Sequence, residues 1–268
     1  MGIRWREVDA DSARLSDMEA IHTAAARGDV DALRRELESG VSPDQVGPHS
    51  LVPLHFSAAH GASGEDNQLA CIRLLIDAGA NVSAADDSNM SAILYAAIEG
   101  CPALVSALLD AGSDPNHRDN SNWTPLHHAI YSNRGADCVR LLINAGADAD
   151  ARCDDGRSPL RHCILLCQST LKSGRVAESQ RQRRLYPILL RAGALPPESW
   201  VYYTHNEPYL QKVIAAGSFQ NYERAHLNAI AATFVPKFSH LLPPELVRRV
   251  VEYAFHVGDY WTTSVRAE

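Results

Sequence analysis

Twelve histidines and six cysteines in 268 residues are the first candidates for chemistry. His162-Cys163 followed by Cys167 looks like half of a zinc site, because imidazole and thiolate are the ligands that zinc takes. A tetrahedral site needs a second pair, and none stands nearby at finger-type spacing, so no metal ligand is assigned. Cys71 and Cys138 each lie eight residues before a recurring glycine and read as small core hydrophobes. Catalysis would announce itself as a phosphate-binding loop, a G-x-S-x-G elbow, an H-E-x-x-H pair or a dinucleotide fingerprint, and the sequence contains none of these. The prediction is a chain with no catalytic residue, no cofactor and no small-molecule substrate.

Lys and Arg number 25 against 32 Asp and Glu, a net charge of −7. A general nucleic-acid binder needs a basic footprint that this balance does not supply. With 46% apolar and 21% charged residues, the chain can bury a core and is not disordered as a whole. The longest apolar run, Ala92 to Ile98, has seven residues, whereas a membrane-spanning helix needs about 20. The opening MGIRWREVDADS has no apolar stretch of the signal-peptide kind, and Arg6 stands where a myristoylation signal has Ser or Thr. Without a secretory signal the six cysteines read as reduced thiols. The expectation is a soluble, monomeric protein of the cytoplasm, with the nucleus as the alternative, and with neither a membrane nor a nucleic-acid partner.

The elements that would position any site come from an internal repeat. Leu74-Leu75-Ile76-Asp77-Ala78-Gly79-Ala80 recurs around Gly112, Gly146 and Gly193, with a degenerate copy ending at Gly40. The glycine spacings are 39, 33, 34 and 47, a period near 33 with insertions. A second anchor keeps the phase: Val52-Pro53-Leu54-His55, Ser91-Ala92-Ile93-Leu94, Thr124-Pro125-Leu126-His127 and Ser158-Pro159-Leu160-Arg161 each begin 12 residues after one of those glycines. This resembles the ankyrin repeat, whose signature is T-P-L-H-x-A-A followed by a second helix ending in L-L-x-x-G-A. The resemblance implies an all-α solenoid of about five helix pairs with finger loops, capped by C-terminal helices. The boundaries read 1–16 for an N-terminal extension; 17–49, 50–88, 89–121, 122–155 and 156–198 for the repeats; and 199–268 for a truncated repeat and helical cap. It also implies that His22, His55 and His127, which share one repeat position, bond neighbouring finger loops.

The residue types suit these places. Thr or Ser before Pro can cap the first helix while Pro fits its first turn. The Leu pairs supply the apolar stripe of the second helix, and the glycine after them can take the left-handed conformation that ends it. Asn89, Asn122 and Gly156, two residues before three of the starts, tolerate positive φ in a finger turn. Insertions fall between the two helices of a repeat, within 62–68, near 134–135 and around 168–184. The last is basic, with Lys172, Arg175, Arg181, Arg183 and Arg184 against Glu178. It reads as a solvated loop, with contact to an acidic partner as the alternative.

Beyond Gly193 the pattern decays. Tyr209 to Gly217 reads as the second helix of a truncated repeat, and Asn221 to Phe234 has helical apolar spacing. A last helix follows Pro243-Pro244-Glu245. Tyr222, Leu227, Ile230, Leu246, Val250 and Phe255 would cover the end of the stack, since a bare solenoid end exposes apolar surface. Leu242-Pro243-Pro244-Glu245-Leu246 also resembles the first helix of an F-box, and more closely the shortened F-box-like (PRANC) tail of poxviral ankyrin proteins. That resemblance implies docking on Skp1 in a cullin ubiquitin ligase through Leu242, Pro243, Glu245, Leu246 and Val250. It is incomplete, because only 27 residues start at Leu242 where a full F-box has three helices.

In ankyrin stacks partners contact the residue before each Thr-type start, the finger tips and the end of the first helix. Mapped by phase, this gives Met90, Trp123 and Arg157; Asp87 and Asp155; and Ile98, Glu99 and Tyr131. A solvent-facing Met, Trp, Tyr and Ile cluster ringed by charge has the composition of an interface hot spot. The alternative is that Trp123 and Tyr131 pack under the cap or the fifth-repeat insertion. The leading expectation is a non-catalytic module binding a protein or peptide on the concave face. The alternatives are a substrate-recruiting adaptor of a cullin-type ubiquitin ligase and a structural subunit of a larger assembly.

Overall fold

The computed structural model describes residues 19–59, 64–133, 136–195, 207–238 and 243–247. The chain divides into two compact units, Met1–Leu195 and Pro196–Glu268.

In the first unit five inner helices stack one on the next: α1 (Ala20–Arg27), α3 (Pro53–Ala59), α5 (Ala92–Glu99), α7 (Pro125–Ser132) and α9 (Pro159–Lys172). Beside them run α2 (Val30–Glu38), α4 (Glu65–Asp77), α6 (Pro102–Asp110), α8 (Ala136–Asn144) and α11 (Leu185–Arg191), also packed in succession. One extra helix, α10 (Val176–Arg183), packs on α9. Proline at the first turn opens α7 and α9, where its missing N–H costs nothing. Asn133 (φ 54°) ends α7, and Gly79 (φ 87°) takes the left-handed backbone that turns the chain away after α4, a conformation that strains a residue with a side chain. Leu54, Ile93, Leu94, Leu126, Ile130 and Leu160 of the inner helices are fully or almost fully buried, as are Ile72, Leu75, Leu104, Leu108, Leu142 and Leu189 of the outer ones. Each such side chain contributes about 1.5–3 kcal/mol of burial against the entropy of ordering the chain. Each repeat buries this surface only against its neighbours, so the stack is stabilised interface by interface.

The fingers between repeats are tied into a ladder. Asp87, Asn120 and Asp154 donate backbone N–H bonds to the carbonyls of His49, Ser88 and Ser121 in the preceding finger, at 3.1, 3.0 and 3.2 Å. The turns close through Asn89 (φ 57°), Asn122 (φ 58°) and Gly156 (φ 66°). The histidines at the shared repeat position do join successive fingers. Nε2 of His22, His55 and His127 lies 2.8, 2.9 and 3.1 Å from the carbonyls of Gln45, Ala84 and Arg157.

The insertions differ from the sequence expectation in one place. Residues 168–184 are not a loop: α9 continues to Lys172, turns at Ser173-Gly174 and returns as α10. The reason is local. Gly28 and Gly100 end the equivalent helices α1 and α5 in the left-handed conformation, whereas Cys167 holds that place in α9 and the helix runs on to Gly174 (φ 72°). Small side chains then let α10 approach. The Cys163 thiol donates to the Gln182 carbonyl at 3.3 Å, Cys167 Sγ is 3.1 Å from Ser179 Oγ, and the Thr170 hydroxyl donates to Gln182 Oε1 at 3.1 Å. In the second repeat, α4 is longer than α6 by four residues at its start, and buried Gln68 donates to the Ala26 carbonyl at 3.1 Å. Residues 60–63 and 134–135, which take in parts of the other two insertions, lie outside the described residues.

The second unit contains the helices Pro208–Ala215 and Phe219–Phe238 and a helical turn at 244–247. Leu210 and Val213 are buried, and Tyr209 meets Tyr222 edge-on at 5.4 Å. Val247 is buried and Leu246 is 45% exposed. Leu242, Val250 and Phe255, named above, lie outside the described residues. Among the described residues no helix is long and apolar enough to cross a membrane.

Candidate functional site: an aromatic cluster across the fourth and fifth repeats

The site is built from a finger aspartate. Asp119 Oδ1 accepts the backbone N–H groups of Ser121 and Trp123, each at 2.8 Å, and Oδ2 accepts His128 Nε2–H at 2.9 Å. The finger turn is thereby locked to α7, and the Trp123 indole is laid against that helix. Burial alone would raise the Asp119 carboxyl, but the bonds from His128, Trp123 and Ser121 outweigh it and hold its pKa below the ordinary value. Thr124 caps α7 with Pro125 in the first turn, and its N–H donates to His127 Nδ1 at 3.2 Å. That bond leaves the proton on Nε2, which donates to Arg157 in the next finger.

Around this frame five rings converge. Trp123 lies 5.1 Å from His128, 5.8 Å from His127, 5.7 Å from Tyr131 and 4.7 Å from His162, the last two edge-on at 77° and 75°. Tyr131 is also 5.8 Å from His162. Edge-to-face contacts of this kind add about 0.5–1.5 kcal/mol each beyond area burial. Burial pushes His127 and His162 down to about 4, with the neighbouring cations adding to the shift, so both rings are neutral at pH 7. Two neutral imidazoles thus stand beside the Trp123 indole, with Tyr131 projecting at 60% exposure.

His162 departs from the pattern of its repeat equivalents. Four residues after each helix start stand Phe56, Tyr95, His128 and His162. In the third repeat the Tyr95 hydroxyl donates to Asp86, and in the fourth His128 donates to Asp119. In the fifth repeat Cys153 occupies the aspartate's place. Nδ1 of His162 accordingly has no hydrogen-bond partner among the described residues, while the ring is only 6% exposed.

The candidate residues from the sequence fall into two groups. Trp123 and Tyr131 form the cluster, half-buried and exposed respectively. Neither Asp87 nor Asp155 is buried (side chains 59% and 65% exposed); His49 Nδ1 lies 3.8 Å from the first, and Arg157 pairs with the second at 3.4 Å. Ile98 and Glu99 are half-buried at the end of α5. Met90 is corrected: it is 8% exposed and does not face solvent. Its N–H is held by Asp86, itself tied to α5 through Tyr95, and an unbranched thioether fills space that an indole cannot. His128 and Asp119 were not singled out by sequence, and His162 was considered there only as part of a zinc motif, although the 33-residue offset from Asp86 to Asp119 and the position-four alignment mark them.

His162 faces Trp123 while Cys163 and Cys167 face α10, so the H-C-x-x-x-C segment points in two directions. Burial pushes the Cys71 and Cys101 thiols to about 11 and Cys138 to about 12, far from the thiolate a nucleophile needs. Among the described residues no three His, Cys, Asp or Glu groups are placed to hold a metal ion.

A family model for ankyrin repeats, in three copies, matches residues 21–119 and 93–172. The chain belongs to the ankyrin-repeat family. Ankyrin repeats are protein-interaction modules, and the inner-helix and finger surface that carries Trp123 is part of the matched region. This ankyrin-repeat chain is also similar to the E3 ubiquitin-protein ligase KEG of Arabidopsis thaliana, 33% identical over 78 residues, which are 29% of this chain and 4% of that protein. It is similar to the putative E3 ubiquitin-protein ligase XBAT31 of the same plant, 33% identical over 136 residues, which are 46% of this chain and 28% of that one. The chain thus spans only a small part of the length of the curated relatives it matches.

Proposed function

We propose that the chain is a non-catalytic module that binds a protein or peptide on its concave, inner-helix face, with Trp123 and Tyr131 as the anchor. The observation that carries this reading is the five-ring cluster. An indole and a phenol stand half-exposed and exposed there on a rigid frame, with neutral histidines behind them. Rigid aromatic side chains bury large area on binding at small entropic cost, which is why hot spots are enriched in Trp and Tyr. Asp87, Ile98, Glu99, Asp155 and Arg157 form the rim that sets orientation, where charges contribute more to association rate and specificity than to affinity.

The test is quantitative affinity purification with wild type and with Trp123→Ala plus Tyr131→Ala, the fold being checked by circular dichroism. The double variant is expected to lose its partner by tenfold or more, since truncating a hot spot costs about 2 kcal/mol or more. Full retention of every partner by a folded double variant contradicts the groove assignment.

The names of the two relatives favour a second reading, recruitment of substrates to a ubiquitin ligase. In this chain the recruiting segment would be Leu242, Pro243, Glu245, Leu246 and Val250, of which Leu246 is 45% exposed. Co-purification of Skp1 with wild type and its loss with Leu246→Glu is the result that this reading expects. A wild-type complex without Skp1 contradicts it.

A further inference from the structure

The fifth repeat carries the opposite charge to the rest of the chain. Residues 157–195 hold eight Lys and Arg against the one acid Glu178, a local charge of +7, in a chain whose total is −7. The remainder therefore carries −14. Nor is this charge spread on a loose loop. The polar seam of Cys163, Cys167, Thr170, Ser179 and Gln182 fastens α10 to α9, with Ser179 and Gln182 at 0% and 1% exposure. On the outside of that hairpin Lys172, Arg175, Arg181 and Arg184 are exposed, with Arg175 held by Glu178 at 3.0 Å. Arg181 in α10 and Arg184 at its C-cap, still in helical conformation, are three apart and so lie on one side of the hairpin.

We propose that the α9–α10 hairpin is a docking platform for a short acidic segment of a polypeptide partner. The choice of a polypeptide rests on the protein-binding reading above. Three features support it. The segment 168–184 has no aromatic side chain on which a base could stack, which single-stranded nucleic-acid sites use. A long polyphosphate would run off the platform onto a chain body of net −14, whereas an acidic stretch of about six residues spans only about 20 Å extended and stays within the local field. The cations also sit on an ordered hairpin, so docking does not have to order the backbone that presents them.

Fluorescence anisotropy of the full chain with labelled oligo-L-glutamate of about six residues, at about 50 mM and about 200 mM salt, reads the interaction and its screening. Wild type is expected to bind, and Lys172→Glu, Arg181→Glu and Arg184→Glu together are expected to weaken binding about tenfold or more, with a shallower salt dependence. Lys172→Arg, Arg181→Lys and Arg184→Lys together should retain it. Carbodiimide coupling of wild type to the same probe, mapped by mass spectrometry, should place a cross-link on Lys172 and needs no variant to fold. The Trp123→Ala plus Tyr131→Ala chain should bind the probe normally, so failure of the groove and failure of the platform are distinguishable. Unchanged binding by the folded charge-reversed variant, cross-links that avoid Lys172, or tighter binding of a single-stranded DNA of the same charge overturns the proposal.

Discussion

Replacing His127 with alanine is expected to lower unfolding stability by about 3 kcal/mol, the sum of a small cavity and of buried polar groups left without partners. His127 is fully buried and joins two repeats: Nδ1 accepts from the Thr124 N–H at the cap of α7, and Nε2–H donates to the Arg157 carbonyl in the following finger. Removing the ring unseats Trp123, 5.8 Å away, at the same time. Because stability here is a sum over neighbouring interfaces, the loss should localise between the fourth and fifth repeats rather than spread evenly. Urea denaturation gives the total, and native-state hydrogen exchange gives its place. A change under about 1 kcal/mol would mean that the finger-bridging histidines are not what joins the repeats.

Acid should act through the same rings. The folded pKa of His127 and of His162 is about 4 against an ordinary 6.5, so in this window the unfolded chain binds more protons than the folded one. Their stabilising contribution is complete above pH 6.5 and falls as pH drops towards 4, below which the loss levels off. His55, whose pKa burial also lowers, acts in the same direction. Each group changes stability by up to about 1.4 kcal/mol per pH unit below 6.5, so the pair should cost about 3 to 4 kcal/mol between pH 7 and pH 5. Asp119, held low by His128 and two backbone N–H groups, loses its own contribution only further down, as pH falls through its depressed pKa. Urea midpoints at pH 7 and pH 5 check this. His162→Phe, which places in the fifth repeat the residue type that Phe56 supplies in the second, should remove close to half of the acid sensitivity. Equal midpoints at the two pH values contradict the neutral-histidine assignment.

What was legible in the sequence is what the repeat writes locally. Gly79, Asn89 and Asn122 stand where the backbone takes positive φ, and the offset of 12 residues to each helix start located α5, α7 and α9. His22, His55 and His127 were legible for the same reason, since one repeat position has one neighbour in every copy. The basic hairpin was misread because a length excess says nothing about conformation. The informative signal was the absence of a glycine at Cys167, which removes the stop and lets α9 run on. Met90 was misplaced because repeat phase gives a backbone position, while burial depends on side-chain shape and on the Asp86 to Tyr95 tie that holds the turn. His162 was considered only beside Cys163 and Cys167, and its place in the ring cluster was missed because its distinction is a missing partner: Cys153 stands where Asp86 and Asp119 serve the two preceding repeats.

Binding at the Trp123 cluster is tested most directly by hydrogen–deuterium exchange of the chain alone and in complex with the partner recovered by affinity purification. Slower exchange on binding is expected in the finger and inner helix at 119–132 and at the start of α9, 157–167. The outer helices at 102–110 and 136–144 should remain unchanged. Protection confined to the outer helices, or an inner face that exchanges identically in the free and bound chain, would contradict it.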